Sequence, residues 1–285
     1  MVELAREAGG ERYCLGYAGD SFNTAVYLAR GGVQVSYLTR LGDDPHSESI
    51  IGALAEEGID SGLVARDAGR SVGLYLIDND AAGERQFSYW RDNSPARALF
   101  DAKPALPVPD LFYFTGITLA VARSGVEILG EVLSQLRSAG ARVAFDPNYR
   151  PLLWQSVEQA RDHYRMVLPL CDLVLPTLDD DRALWGFESA GESQAFYSGF
   201  GAGEVVVKGD ALVSSSWQSG ELSERQAEPV AAMDTTGAGD SFNAGYIATR
   251  LAGETPEVAL ARAQALAAEV VQHRGAIMPR GQATG

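Results

Sequence analysis

Cysteine and histidine are scarce in this sequence, two and three among 285 residues. Cys14 and Cys171 stand alone without a CxxC pair, and His46, His163 and His273 are scattered. A disulfide framework and a structural zinc site are therefore not expected, and a reducing compartment, the cytoplasm, is. Long apolar runs are missing as well. No stretch reaches the roughly 18 apolar residues read as a membrane-crossing helix, and the N-terminal MVELAREAGGERY has no apolar signal core. Positive charge is also in short supply: 23 Lys and Arg stand against 38 Asp and Glu, a net charge of −15. Neither nucleic acid nor an anionic membrane suits such a chain as a partner. A soluble enzyme does, and one local basic cluster would suffice for an anionic substrate.

What is present is alternation. With 46% hydrophobic residues the chain can bury a large core. Short apolar runs at Val33–Leu38, Leu111–Phe114, Arg142–Asp146, Asp172–Pro176 and Glu204–Lys208 read as buried parallel strands. Amphipathic stretches between them, at Ser47–Glu57, Ser124–Ser138, Val157–Leu168 and Thr255–His273, read as helices. The fold class expected is α/β with a doubly wound sheet. Gly73–Arg91 breaks the pattern: two strand-like runs flank the turn-rich NDAAGE, which predicts a hairpin forming a separate antiparallel flap.

The hexapeptide AGDSFN occurs twice, at Ala18–Asn23 and Ala238–Asn243, yet the flanking sequences differ and no shorter period exists. Each copy opens a helical pattern, Ser21–Arg30 and Ser241–Leu251. In the second, DTTGAGD puts Gly237 and Gly239 beside a helix start, where free backbone N–H groups and the helix dipole suit a phosphate. Asp240 would stay ionised there, as a proton acceptor must. The bland alternative is Asp240 as an N-cap and the glycines as a tight turn.

The string DTTGAGDSFNAGY resembles the C-terminal signature of the PfkB (ribokinase-like) carbohydrate kinases, and the similarity extends over nearly the whole chain. The resemblance implies one ribokinase-like domain over residues 1–285, a three-layer α/β/α core with a small β lid formed mainly by about 10–20 and 70–95. It implies ATP at one end of the sheet, with Mg2+, and a sugar beneath the lid. Asp240 would take the proton of the attacking hydroxyl, and the amides of Gly237, Ala238 and Gly239 would form the anion hole. Gly19, Asp20 and Asn23 of the first copy would contact sugar hydroxyls. The alternative there is capping by Asp20, with Asn23 facing solvent. Ala18 replaces the family's first glycine.

Within the family, Gly73–Arg91, FDPNYRPLLW, LPTLDDDRALWG and QHRGAIMPR are most similar to the branch that phosphorylates 2-keto-3-deoxygluconate. Such a sugar acid calls for fixed guanidinium groups. Tyr89 and Arg91, two apart on a strand, share a face, and Tyr75 on the partner strand can share it. Arg150 follows the strand Arg142–Asp146, at the end where open α/β sheets bind ligands, and the resemblance puts it between sugar and phosphates. The alternatives are an edge-protecting charge for Arg91 and a cap or surface pair for Arg150. By resemblance Asn148, Thr177, Lys208 and Gly209 lie on the nucleotide side, and Asp180 could order hydrated Mg2+ without a direct ligand set being assigned. Lys208 could equally be a strand-end surface lysine, and the KGDAL loop is shorter than in relatives. Relatives have a further strand ahead of Met1–Leu4, so a start upstream is expected, as is a homo-oligomer. A kinase of a neutral sugar and an inactive sugar-acid sensor are the competing readings.

Overall fold

In this computed structural model, residues 1–6, 12–79 and 85–280 are described, and the chain divides into two compact units, Met1–Leu99 and Phe100–Gly285. The first unit contains β1 (Val2–Arg6), β2 (Tyr13–Tyr17), α1 (Asp20–Arg30), β3 (Thr39–Leu41), α2 (Pro45–Glu56), β4 (Val64–Arg66), β5 (Leu74–Asn79) and β6 (Arg85–Trp90). Four strands form a sheet in the order β2-β1-β5-β6, with β1 parallel to β5 and the other pairs antiparallel. The expected hairpin is therefore present, but it is not a separate antiparallel flap: it shares its sheet with β1 and β2, and β1 runs parallel to β5. Its turn, 80–84, and residues 10–11 of the expected lid lie outside the described residues. One face of the sheet buries Ala18, Tyr75 and Ile77 together, with Met1 and Ala5 packed on them.

Val33–Leu38 is not a strand. Only Ser36 is bridged, to Asp60, and the short parallel pair β3–β4 begins after it. The apolar run suggested full burial, but Gln34 and Ser36 are exposed and Val33 and Val35 only half-buried. β3 and β4 pair with each other in a two-stranded sheet.

The second unit carries β7 (Leu111–Thr115), α3 (Gly116–Val121), α4 (Val126–Ser138), β8 (Arg142–Asp146), α5 (Val157–Val167), β9 (Leu173–Val174), α6 (Leu178–Trp185), α7 (Ala190–Gly199), β10 (Glu204–Lys208), β11 (Val213–Gln218), β12 (Glu221–Gln226), α8 (Ala238–Leu251) and α9 (Pro256–Val270). The six strands run in the order β12-β11-β10-β9-β8-β7, parallel from β7 to β10 and antiparallel beyond. The β11–β12 hairpin was not expected, because SSSWQ and ELSERQ carry little apolar content. Side chains alternate across a strand. On β8, Phe145 meets Tyr164 of α5, and Asp146 bonds Asn243 of α8, so helices cover both faces. This is the α/β/α layering that the alternation predicts. Val143, Ala144, Phe145, Val205, Val206 and Val207 are wholly buried. Among the described residues no helix is long and apolar enough to cross a membrane.

Candidate active site

The carboxyl ends of the parallel strands gather most of the polar residues expected on the nucleotide side. Asp146 ends β8, and the chain then turns through Asn148, whose φ is 35° and whose N–H donates to Asp146 Oδ1 at 3.1 Å. Gly116 makes room for this turn. A Cβ on it would lie 1.9 Å from the Pro147 carbonyl oxygen and 2.0 Å from the Tyr164 hydroxyl. At the end of β10, Lys208 Nζ donates to Asn243 Oδ1 at 2.9 Å and sits 3.7 Å from Asp146 Oδ1. Asn243 Nδ2 donates in turn to Asp146 Oδ2 at 2.7 Å and to the Tyr113 hydroxyl at 3.2 Å. Thr177 is bridged to Lys208 and precedes α6. Lys208 is thus no surface lysine: its side chain is 13% exposed, and its ammonium is spent on α8 and Asp146. Gly209 follows it, its N–H donating to the Val213 carbonyl at 2.8 Å, and Ala211 and Leu212 beyond it both have positive φ.

Arg150 reaches Asp180, with Nη1 3.0 and 3.2 Å from the two carboxylate oxygens. Burial pushes the Asp180 carboxyl up, and the Arg150 charge opposes that shift. Asp181, next in sequence, meets α7 instead. It is fully buried, accepts from Ser193 Oγ at 2.6 Å and the Tyr197 hydroxyl at 2.5 Å, and is pushed up to about 7 by burial. It ties α6 to α7. Among the described residues no group of three or more His, Cys, Asp or Glu could hold a metal ion.

The second AGDSFN begins its helix three residues earlier than expected. Gly237 is the N-cap, with φ 79°, and Ala238, Gly239 and Asp240 make the first turn. Asp240 is therefore not the cap. Only glycine suits position 237: a Cβ would lie 2.7 Å from the Ala276 carbonyl oxygen, in a backbone conformation that L-residues avoid. Asp234 fixes the approach, its carboxylate accepting from Thr236 N at 2.9 Å and Gly275 N at 2.7 Å. The Ala238 N–H donates to the Thr235 carbonyl at 3.2 Å. Beside Gly239, by contrast, a Cβ would meet nothing within 4 Å beyond its own turn of helix. A helix start with positive dipole, a left-handed glycine cap and open space at the next glycine fits a phosphate group.

Of the residues expected to contact the sugar, all but Arg150 and Asp240 lie in the first unit. Gly19 is the N-cap of α1 and makes no side-chain cap, so Asp20 is not a cap either. Asn23 does not face solvent. It is 4% exposed, and its Oδ1 accepts from Gly19 N at 3.4 Å. Tyr75 and Tyr89 are directly opposed across β5–β6, with ring centroids 6.0 Å apart, and the Arg91 guanidinium lies 4.2 Å from the Tyr89 ring centre. Burial pushes the Arg91 guanidinium down from its ordinary value, opposed by Tyr89 and by the charge of Asp20. The Tyr75 hydroxyl donates to Glu3.

Within the first unit the structure brings together Tyr75, Tyr89 and Arg91, with Asp20 close enough to act on the guanidinium. In the second it assembles Asp146, Asn148, Thr177, Lys208 and Asn243. Sequence reading missed Glu3, Tyr113, Asp146 and Asn243. The last of these was signalled by closing both hexapeptides. Residues 6–282 match the pfkB family of carbohydrate kinases. The 2-dehydro-3-deoxygluconokinase of Escherichia coli (strain K12) is 37% identical over 295 residues, covering 98% of this chain and 95% of that protein. Among solved structures, the 2-dehydro-3-deoxygluconokinase of Thermotoga maritima superposes with a TM-score of 0.86 at 22% identity over 98% of this chain and 92% of that one. A fructokinase with bound ATP from Xylella fastidiosa does so at 0.82 and 21%, over 97% and 91%.

Proposed function

This chain belongs to the pfkB family of carbohydrate kinases, and from that premise we propose that it transfers the γ-phosphoryl group of ATP to the 6-hydroxyl of 2-keto-3-deoxygluconate, giving the 6-phosphate and ADP in the cytoplasm. One observation carries the choice of a sugar acid: a half-buried arginine, Arg91, stacked on Tyr89 beside Tyr75. A planar guanidinium held on an aromatic ring is a poor investment for a neutral sugar and a good one for a carboxylate. The relatives at 37% identity named for this substrate support the same choice.

Asp240, in the first turn of α8, takes the proton of the attacking hydroxyl as the new O–P bond forms and the bond to the ADP oxygen breaks. The amide of Gly239 meets the charge on the transferring group. Gly237 and Ala238 shape the turn that presents it, Ala238 being tied to Thr235. Asn148, Arg150, Thr177, Lys208 and Gly209 hold the nucleotide side, Lys208 by bracing Asp146 and Asn243. Mg2+, when bound, neutralises phosphate charge, and Asp180 would hold its water shell. Gly19, Asp20, Asn23, Tyr75, Tyr89, Arg91 and Arg150 position the sugar, and the strands of 12–20 and 70–79 with 85–95 act as its lid. A homo-oligomer is the expected assembly.

The Asp20 charge acting on Arg91 favours a second reading, a kinase of a neutral sugar such as fructose or ribose, with that attraction purely internal. ADP release with ketodeoxygluconate, fructose and ribose separates the two. Arg91→Ala should lower kcat/KM on the sugar acid roughly ten- to a hundredfold and spare residual activity on the neutral sugars. Equal losses on all three would remove the carboxylate role.

A further inference from the structure

Register places Gly16, Glu3, Tyr75 and Tyr89 in one row across all four strands of the first unit's sheet. Arg91 continues the row by lying on Tyr89. The row thus runs from a carboxylate to a guanidinium with two phenols between. Gly16 lies beside Glu3 without crowding it: even a Cβ there would make only ordinary contact, 3.5 Å from Glu3 Oε1. The Tyr75 hydroxyl donates to Glu3 Oε2. A phenol has one proton and two lone pairs, and an ionised carboxylate only accepts. Once Tyr75 has given its proton to Glu3, its oxygen has only lone pairs for any other partner.

We infer that Glu3 is a positioning residue that fixes Tyr75 as a hydrogen-bond acceptor, so that Tyr75 reads a hydroxyl of the substrate and turns its carboxylate toward Arg91. The inference rests on the sugar-acid reading above and adds a direction to it. An oxyanion or ketone oxygen at the Tyr75 end would face lone pairs and the Glu3 charge. A hydroxyl donates there without conflict. A site built to accept from a particular hydroxyl discriminates against an analogue lacking it, because the acceptor is then left unpaired. Tyr75 therefore belongs to hydroxyl recognition and Arg91 to the acid end.

The test compares ketodeoxygluconate with its 4-deoxy and 5-deoxy analogues. Tyr75→Phe should raise KM for the parent about three- to tenfold, with a smaller change in kcat, and this penalty should vanish on one of the two analogues. An equal penalty on the parent and both analogues would overturn the inference. Glu3→Leu should reduce the preference for the parent over that analogue, and Glu3→Gln, which still accepts through its amide oxygen, should restore it. A preference unchanged in Glu3→Leu would also overturn it. Should the wild type turn over no sugar acid, the substrate reading fails. The polarity is then read from the Tyr75 13Cζ resonance, assigned by its loss in Tyr75→Phe. That resonance should move toward the value of a phenol in water in Glu3→Leu and stay near its wild-type position in Glu3→Gln. An unmoved resonance in Glu3→Leu would overturn the proton assignment.

Discussion

The two AGDSFN segments share six residues and a helix start, and little else. In the first, Asn23 folds back on its own helix to take the Gly19 N–H. In the second, Asn243 leaves its helix and joins Asp146, Tyr113 and Lys208 on three different strands. The glycine caps also differ. A Cβ on Gly19 would meet only Phe22 Cβ at 3.9 Å, whereas one on Gly237 would collide with the Ala276 backbone. The hexapeptide specifies a helix start with an early carboxylate. The two copies part company at the asparagine that closes the word.

Exchanging the carboxylates should break the comparison most sharply. Asp240→Asn keeps the shape and removes the proposed proton acceptor, so kcat should fall by roughly two or more orders of magnitude with nucleotide affinity little changed. Asp20→Asn should act mainly on KM, by about tenfold or less, if Asp20 only accepts from sugar hydroxyls. A comparable kcat loss in both variants would mean that the two copies share one role. The glycines come next. Gly237→Ala forces a side chain into a left-handed position against Ala276, and should lower stability by about 1–2 kcal/mol, seen as a lower Tm. Gly239→Ala has open space around it, so Tm should hold while turnover falls, and an unimpaired enzyme would remove Gly239 from the anion hole. The smallest contrast lies in the asparagines. Asn243→Ala strands the buried Asp146 and Lys208, at about 1–3 kcal/mol, whereas Asn23→Ala removes the 3.4 Å bond from the Gly19 N–H, a bond worth about 1 kcal/mol. Denaturant unfolding of the two variants should rank them in that order.

Legibility followed burial. Arg142–Asp146 and Glu204–Lys208 were readable to the residue because both faces of these central strands are covered, leaving a continuous apolar run. The same rule misread Val33–Leu38, where apolar residues lie half-buried in a loop, and passed over Val213–Gln226, whose serines pack against polar partners such as Tyr246 and Gln264. The Ser219–Gly220 turn between those strands, both residues at positive φ, was the available signal. Tyr75, Tyr89 and Arg91 were placed on one face by the period of two, and the structure puts them there. Glu3 could not be found this way, since its tie to Tyr75 depends on which distant strand lies beside β1. Asp146 looked like a strand-end turn residue, and only the fold brings Asn243 to it.

Asn243, Tyr246 and Arg250 lie three and seven residues along α8, on one stripe. At its start Asn243 is fastened to Asp146. Near its end Arg250 Nε holds Glu204 at 2.8 Å, with the Tyr246 hydroxyl on the same carboxylate at 2.5 Å. Glu204 begins β10 and Lys208 ends it, so helix and strand are bolted together at both ends like a clamped beam. A beam held at one end can slide or pivot; this one can do neither without breaking a buried polar joint. Asp240 rides on the overhanging tip, one turn beyond the first joint. Loosening the far joint, as in Arg250→Met, should therefore leave the helix formed yet let its tip wander, turning a stiff mount for the proposed proton acceptor into a compliant one.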